Sequence, residues 1–151
     1  MPGHREFEYS EITPLLYVGN NACCADHFSR MLAEKGIRAD ISLEEARIDA
    51  PLGAEYYLWL PTPDHAPLAA EKLELGVATL AFFERQAIPC YVHCMNGHGR
   101  APSLVAAHLI ASRGLGADEA AAFIKERRPS IHLEPSQLEA LRAFAAMPRP
   151  K

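Results

Sequence analysis

Pro89-Cys90-Tyr91-Val92-His93-Cys94-Met95-Asn96-Gly97-His98-Gly99-Arg100-Ala101-Pro102 changes character twice. Residues 89–93 form a brief apolar run, residues 94–99 a polar turn with two glycines, and residues 102–113 resume helical spacing behind a proline suited to a first turn. The unit reads as strand, loop, helix. Residues 68–85 place Leu73, Val77, Leu80 and Phe83 at intervals of three and four, the stripe of a helix lying on a sheet, with Gly76 as a weak point. Residues 117–128 and 135–146 read as two more helices, separated by the stop Arg128-Pro129 and a second proline start. Towards the N-terminus, residues 12–19 read as a strand closing on Gly19, 25–35 as a helix ended by Gly36, and 37–43 as another strand. Residues 55–60 are aromatic and branched, and the prolines of Pro61-Thr62-Pro63-Asp64 end that strand. Strands alternating with helices predict an α/β fold, a mainly parallel central sheet of four to five strands flanked by helices on both faces. Ligands in such folds sit at the carboxyl ends of the strands, where the loops bearing Asp64 and Cys94 both begin.

Bulk composition fits this picture. The chain has 151 residues, 49% of them hydrophobic and 23% charged, ordinary for a folded domain, and residues 1–151 are expected to form a single domain and a monomer. A formal net charge of -4, without any basic run, speaks against nucleic-acid or membrane-surface partners. The start Met1-Pro2-Gly3-His4-Arg5-Glu6-Phe7-Glu8 lacks an apolar signal core, and a cytoplasmic location is expected. Four cysteines (Cys23, Cys24, Cys90, Cys94) form neither a disulfide framework nor a zinc spacing, so reduced thiols and no metal are expected. Cys23-Cys24 with His27 reads as packing rather than as a metal fragment. Cys90 and Cys94, about 13 Å apart along an extended strand, are beyond disulfide reach.

The loop concentrates the chemistry. A short strand-to-helix loop turns successive backbone N–H groups inward, and the helix N-terminus adds a field that favours an anion. A cysteine at its base feels that field and the Arg100 guanidinium, which together favour a nucleophilic thiolate. Five residues between Cys94 and Arg100 let the backbone curl round a tetrahedral oxyanion and return a planar fork to two of its oxygens. Met95, Asn96, Gly97, His98, Gly99 and Arg100 are therefore the expected phosphate-binding residues, Gly97 and Gly99 suiting close approach or positive φ. His93 sits behind the loop as a supporting residue.

His-Cys-x-x-Gly-x-x-Arg at residues 93–100 resembles the signature of the protein tyrosine and dual-specificity phosphatase superfamily. The likeness extends to Leu16-Tyr17-Val18-Gly19, Pro61 to Asp64, Arg127-Arg128-Pro129 and Gln137-Leu138, as in the small dual-specificity members. It implies a phosphatase of phosphorylated proteins, on phosphotyrosine first with phosphoserine and phosphothreonine as further candidates, working through a cysteinyl-phosphate with no cofactor. Cys94 would be the nucleophile, Arg100 the phosphate fork and Asp64 the general acid and then base. Glu44 and Glu45, after another strand, are the second choice of acid.

Other readings compete. Asp64 after a proline also suits a plain turn, His65 and His98 suit solvated loop positions, and Gln137, which positions water in some relatives, reads more readily as a helix-surface residue. Arg127 and Arg128 read as partners of the helix dipole. Most family members follow the arginine with serine or threonine, whereas this chain has Ala101, which points to slow phosphoenzyme hydrolysis; Ser103 is not assumed to substitute. Gly99-Arg100-Ala101-Pro102 also resembles plant glucan phosphatases. Phosphoglucan, phosphoinositide or RNA 5'-triphosphate substrates, and a phosphate-binding module without turnover, are the alternatives; the lack of a loop lysine disfavours lipid.

Overall fold

Alternation in one short strand sets the centre of the sheet. In β5 (Cys90–His93), Cys90 and Val92 join the larger apolar core, while Tyr91 lies on the opposite face and stacks on His93, the pattern of a strand buried on both sides. The computed structural model describes residues 6–24 and 28–148. With β1 (Tyr9–Thr13), β2 (Leu16–Gly19), β3 (Ala39–Glu44) and β4 (Tyr56–Thr62), β5 forms a five-stranded sheet of order β1-β2-β5-β3-β4. The β1–β2 pair is antiparallel and the other three pairings are parallel. The expected mainly parallel α/β sheet is thus present.

Helices divide unequally over its faces. Residues of α2 (Ala70–Arg85), α3 (Arg100–Arg113), α4 (Ala117–Arg127) and α5 (Pro135–Ala146) pack on the Cys90–Val92 face. The other face carries Cys23 of a short 3-10 turn (Asn21–Cys23), Leu32 of α1 (Arg30–Glu34), and Cys24 and Phe28 of the segment that joins them. Gly76, a weak point for α2 in the sequence, has a packing reason: a Cβ there would lie 2.5 Å from Leu104 Cδ1, so its absence lets α2 approach α3. No helix among the described residues is long and apolar enough to cross a membrane.

Several expectations are corrected. Residues 12–19 are not one strand: the chain turns at Pro14-Leu15, Leu15 N donating to Thr13 Oγ1 at 3.3 Å, and β1 folds back on β2. Residues 61 and 62 continue β4 rather than ending it, because β4 is an edge strand and a missing amide on its outer side breaks no ladder bond. The helix expected over 25–35 shrinks to Arg30–Glu34, and residues 25–27, with His27, lie outside the described residues. Helix α3 begins at Arg100, so Pro102 falls inside the first turn, where amides have no helical partner. Cys23 and Cys24 are not free thiols but are joined by a disulfide; both side chains are buried against the sheet, with Cα atoms 3.8 Å apart.

The carboxyl ends of β2, β3, β4 and β5 lie on one edge of the layer, and Asn20, Glu44, Asp64 and Cys94 follow or end them.

Candidate active site

Every carbonyl from residue 95 to 99 is tied to something outside the loop. Asn21 N donates to Met95 O at 3.1 Å, Arg128 Nη2 to Asn96 O at 2.9 Å, Arg128 Nε to Gly97 O at 2.8 Å and His132 N to His98 O at 2.6 Å. Gly99 O accepts from Ser103 N at 2.9 Å and Ser103 Oγ at 2.7 Å. A trans peptide holds its N–H opposite its C=O, and no peptide bond here is cis. The amides of Asn96, Gly97, His98, Gly99 and Arg100 therefore face the inside of the loop. Cys94 lies there, and Gly97 N donates to its Sγ at 3.3 Å. The result is a concave ring of donors at the N-terminus of α3, the arrangement that binds a tetrahedral anion.

Gly97 is required twice over. Its φ of +73° suits glycine, and a Cβ would lie 2.5 Å from Gly19 O and 2.7 Å from Arg128 Nη2. Ser103 spends its hydroxyl on Gly99 O, and Ala101 is fully buried. Neither position offers the loop a free hydroxyl.

Arg100 is almost wholly buried. Its Nη1 donates to Thr62 O at 2.8 Å and to Leu43 O at 3.4 Å, while Nη2 lies 3.5 Å from Asp64 Oδ1 and 3.7 Å from Glu44 Oε2. The guanidinium thus rests against the carboxyl ends of β3 and β4, and Nε has no hydrogen-bond partner. Glu44, the alternative acid, is buried as the counter-ion of this arginine, and Glu45 is exposed. Asp64 is half exposed and lines the same cleft as Cys94, of about 110 Å³, with His65, Asn96, His98, Gly99, His132, Glu134 and Gln137. The three residues expected to carry the chemistry, Cys94, Arg100 and Asp64, thus come together from the loop after β5, the start of α3 and the loop after β4. His65 holds φ at +66° beside the acid and lies 3.3 Å from Glu134 Oε1 through Nδ1.

Two residues were underestimated. Arg128 is not a dipole partner at a helix end; it is buried, clamps the Asn96 and Gly97 carbonyls, and reaches Ser10 Oγ at 3.1 Å and the Glu8 carboxylate. Gln137 is not on a helix surface. It is buried at the cleft, accepts from Glu134 N at 2.8 Å and donates to Ala66 O at 3.1 Å. The only sequence signal for either was membership of a motif, Arg127-Arg128-Pro129 or Gln137-Leu138.

His93 backs the loop from the other face. Its Nε2 lies 3.1 Å from Asp40 Oδ1 and 3.0 Å from Asp49 Oδ2, all three side chains being fully buried. Burial opposes a charge on the ring, but the Asp40 and Asp49 carboxylates outweigh it and push its pKa up to about 10. Burial likewise pushes Asp40 up, against the pull of His93. The ring carries the charge, because Asp49 still faces it when Asp40 takes a proton. Cys90, free but buried, has its thiol pushed well up by burial.

Known proteins resemble this chain in both sequence and fold. The model of the dual specificity phosphatase catalytic domain matches residues 16–147. Tyrosine-protein phosphatase yvh1 of Schizosaccharomyces pombe is 27% identical over 138 residues, covering 91% of this chain and 41% of that protein. Human phosphatidylglycerophosphatase and protein-tyrosine phosphatase 1 is 34% identical over 74 residues, 49% of this chain and 37% of its own length. The chain spans between 18% and 41% of the length of the curated relatives it matches. The crystal structure of PTPMT1 in complex with PI(5)P superposes with a TM-score of 0.81 at 26% identity, covering 91% of this chain and 94% of that one. DUSP15 shares the fold at a TM-score of 0.82 and 24% identity, over 91% and 87% of the two chains. By the match over residues 16–147, the chain belongs to the dual specificity phosphatase catalytic-domain family, cysteine-dependent hydrolases of phosphorylated substrates.

Proposed function

We propose that this protein removes phosphate from phosphorylated proteins, phosphotyrosine foremost, with Cys94 as nucleophile. The observation that carries the reading is the row of five outward-tied carbonyls, which turns the amides of residues 96–100 into the loop that holds Cys94, with Gly97 N on its sulfur. In the first step an S–P bond forms at Cys94 as the P–O bond to the leaving group breaks, and Asp64 gives that oxygen its proton. In the second, Asp64 takes a proton from water, water oxygen bonds to phosphorus and the sulfur leaves. Gln137, buried at the cleft with an N–H and a lone pair beyond its two bonds, orients that water. A bound phosphate competes with Asp64 and Glu44 for the Arg100 guanidinium, which frees Asp64 for proton transfer.

A cleft of about 110 Å³ is smaller than the roughly 300–1,000 Å³ of sites for whole small molecules. It holds the phosphoryl group, so the rim formed by His65, His98, His132 and Glu134 meets the rest of the substrate. A second reading, a phospholipid headgroup, is favoured by the likeness to the protein solved with PI(5)P and to a phosphatidylglycerophosphatase. The rim brings no lysine or arginine, and the net charge of -4 repels an anionic membrane, so protein is the preferred substrate. The test compares phosphotyrosine and phosphothreonine peptides with a short-chain phosphoinositide at matched concentration, for the wild type and Cys94→Ser. Fastest turnover is expected on phosphotyrosine, and none with Cys94→Ser. Faster turnover of the phosphoinositide would overturn the protein assignment, and an active Cys94→Ser would overturn the nucleophile.

A further inference from the structure

On the face of the sheet away from the main core, four donors converge from three places in the chain. A sulfur from each of Cys23 and Cys24, a carboxylate oxygen of Asp49 and a ring nitrogen of His93 all lie within 4.8 Å of one another, and all four residues are buried. Four donors around a zinc ion stand roughly 3.3–3.8 Å apart when the bonds are about 2.0–2.3 Å. Small side-chain shifts therefore close the set. Two thiolates, an imidazole and a carboxylate are the donor mixture of closed, four-coordinate sites for borderline-soft divalent ions.

Unsatisfied atoms at the same place point independently to a ligand. His93 Nδ1 is buried without a hydrogen-bond partner, and Asp49 Oδ2, also buried, has only the ring Nε2 as its neighbour, at 3.0 Å. Arg47 Nη2 holds the other Asp49 oxygen at 2.9 Å, turning Oδ2 towards the cluster. Asp40 and Asp49 both lie on Nε2, at 3.1 Å and 3.0 Å, so Nδ1 is the ring nitrogen left for a cation; Asp49 Oδ2 would turn from Nε2 to the cation while Asp40 stays on the far nitrogen, which is what orients a metal-ligating histidine.

We propose that, once Cys23 and Cys24 are reduced, they bind one zinc-type divalent cation together with Asp49 and His93. The disulfide must first accept two electrons. With a phosphine as reductant the S–S bond breaks, the phosphine becomes its oxide with oxygen from water, and the two hydrogens of that water end on the sulfurs. The cation then displaces both thiol protons and the proton on the ligating ring nitrogen. A peroxide that takes the two electrons and leaves as water re-forms the S–S bond and releases the cation, so occupancy reports the redox state of Cys23 and Cys24 through His93, the residue before Cys94. This site is separate from the substrate reading, because its test measures metal and not turnover.

The full chain, carrying Cys94→Ser so that the loop thiol contributes nothing, is reduced with a phosphine under argon, loaded with zinc chloride and dialysed, and zinc per chain is measured. One zinc per reduced chain is expected, none in the oxidised chain, and none when Cys23→Ala and Cys24→Ala are added. Asp40→Asn, which leaves all four donors in place, should weaken zinc binding by about 10–100-fold. Cobalt bound to the reduced Cys94→Ser chain, otherwise unsubstituted, should show thiolate-to-metal charge transfer and tetrahedral d–d absorption, a readout that does not depend on the folding of any cluster variant. Absence of that spectrum, or zinc retained in the oxidised chain, would overturn the proposal.

Discussion

Arg128→Ala tests the link between loop shape and catalysis. The side chain donates to Gly97 O at 2.8 Å, Asn96 O at 2.9 Å, Ser10 Oγ at 3.1 Å and the Glu8 carboxylate. Hydrogen bonds from a charged donor contribute about 1.5–3 kcal/mol each when buried. The Glu8 side chain is half exposed, so that ion pair counts for about 0–1 kcal/mol. The two loop carbonyls then set the scale at about 3–6 kcal/mol, and water entering the space left by the arginine recovers part of it, leaving a loss of about 3 kcal/mol. A domain with roughly 5–15 kcal/mol of stability stays folded through such a loss at room temperature. The freed Asn96 and Gly97 peptides no longer hold their neighbouring amides on the phosphate, and kcat/KM for p-nitrophenyl phosphate should fall about 100-fold, as misplacement by an ångström does. Arg128→Lys keeps the charge but not the fork and should lie between the two. Urea unfolding with and without vanadate, alongside steady-state kinetics, separates the effects: vanadate should stabilise the wild type far more than Arg128→Ala. Equal vanadate stabilisation and unchanged kcat/KM would refute the reasoning.

Asp64→Asn should slow phenyl phosphate hydrolysis, with its poor leaving group, much more than that of p-nitrophenyl phosphate, and equal slowing would remove Asp64 as the acid. Ala101→Ser adds the hydroxyl that neither buried Ala101 nor committed Ser103 provides; rapid-quench kinetics should show faster phosphoenzyme hydrolysis and a smaller burst, and an unchanged burst would locate the slow step elsewhere. Gly97→Ala should lose activity outright and about 1–3 kcal/mol of stability, given its positive φ and the Gly19 oxygen 2.5 Å from the added carbon. His93 has its folded pKa raised from 6.5 to about 10, so its stabilisation is complete below pH 6.5 and lost as pH rises through 10. The urea midpoint of the wild type should fall over that window, and the part due to His93 should be missing in His93→Gln.

The loop and its flanking elements were legible because their signals are local. Cys90–His93 is a short apolar run, α5 starts at the proline where a proline is tolerated, and the residues from His93 to Arg100 carry the motif in contiguous sequence. Signals that failed depend on distant partners. Nothing near Arg128 shows that its contacts lie 31 and 120 residues away, at Gly97 and Glu8. Gln137 is buried by Ala66 and the loop, and Gly76 is explained only by Leu104. The donor cluster of Cys23, Cys24, Asp49 and His93 is assembled by β5 and two loops, so no spacing rule anticipates it.

Pro61, the residue misread as the end of a strand, also bears on how copies of this protein meet. An edge strand offers unpaired amides and carbonyls to any extended chain, and β4 offers them beside Tyr56, Tyr57, Leu58 and Trp59. At residue 61 there is no amide to give, and the carbonyl is occupied by Lys72 Nζ. Strand-to-strand growth is therefore interrupted one residue before Thr62, whose carbonyl holds Arg100. The proline keeps the acid-bearing end of the sheet from being zipped into an aggregate, a protective duty independent of the reaction beside it.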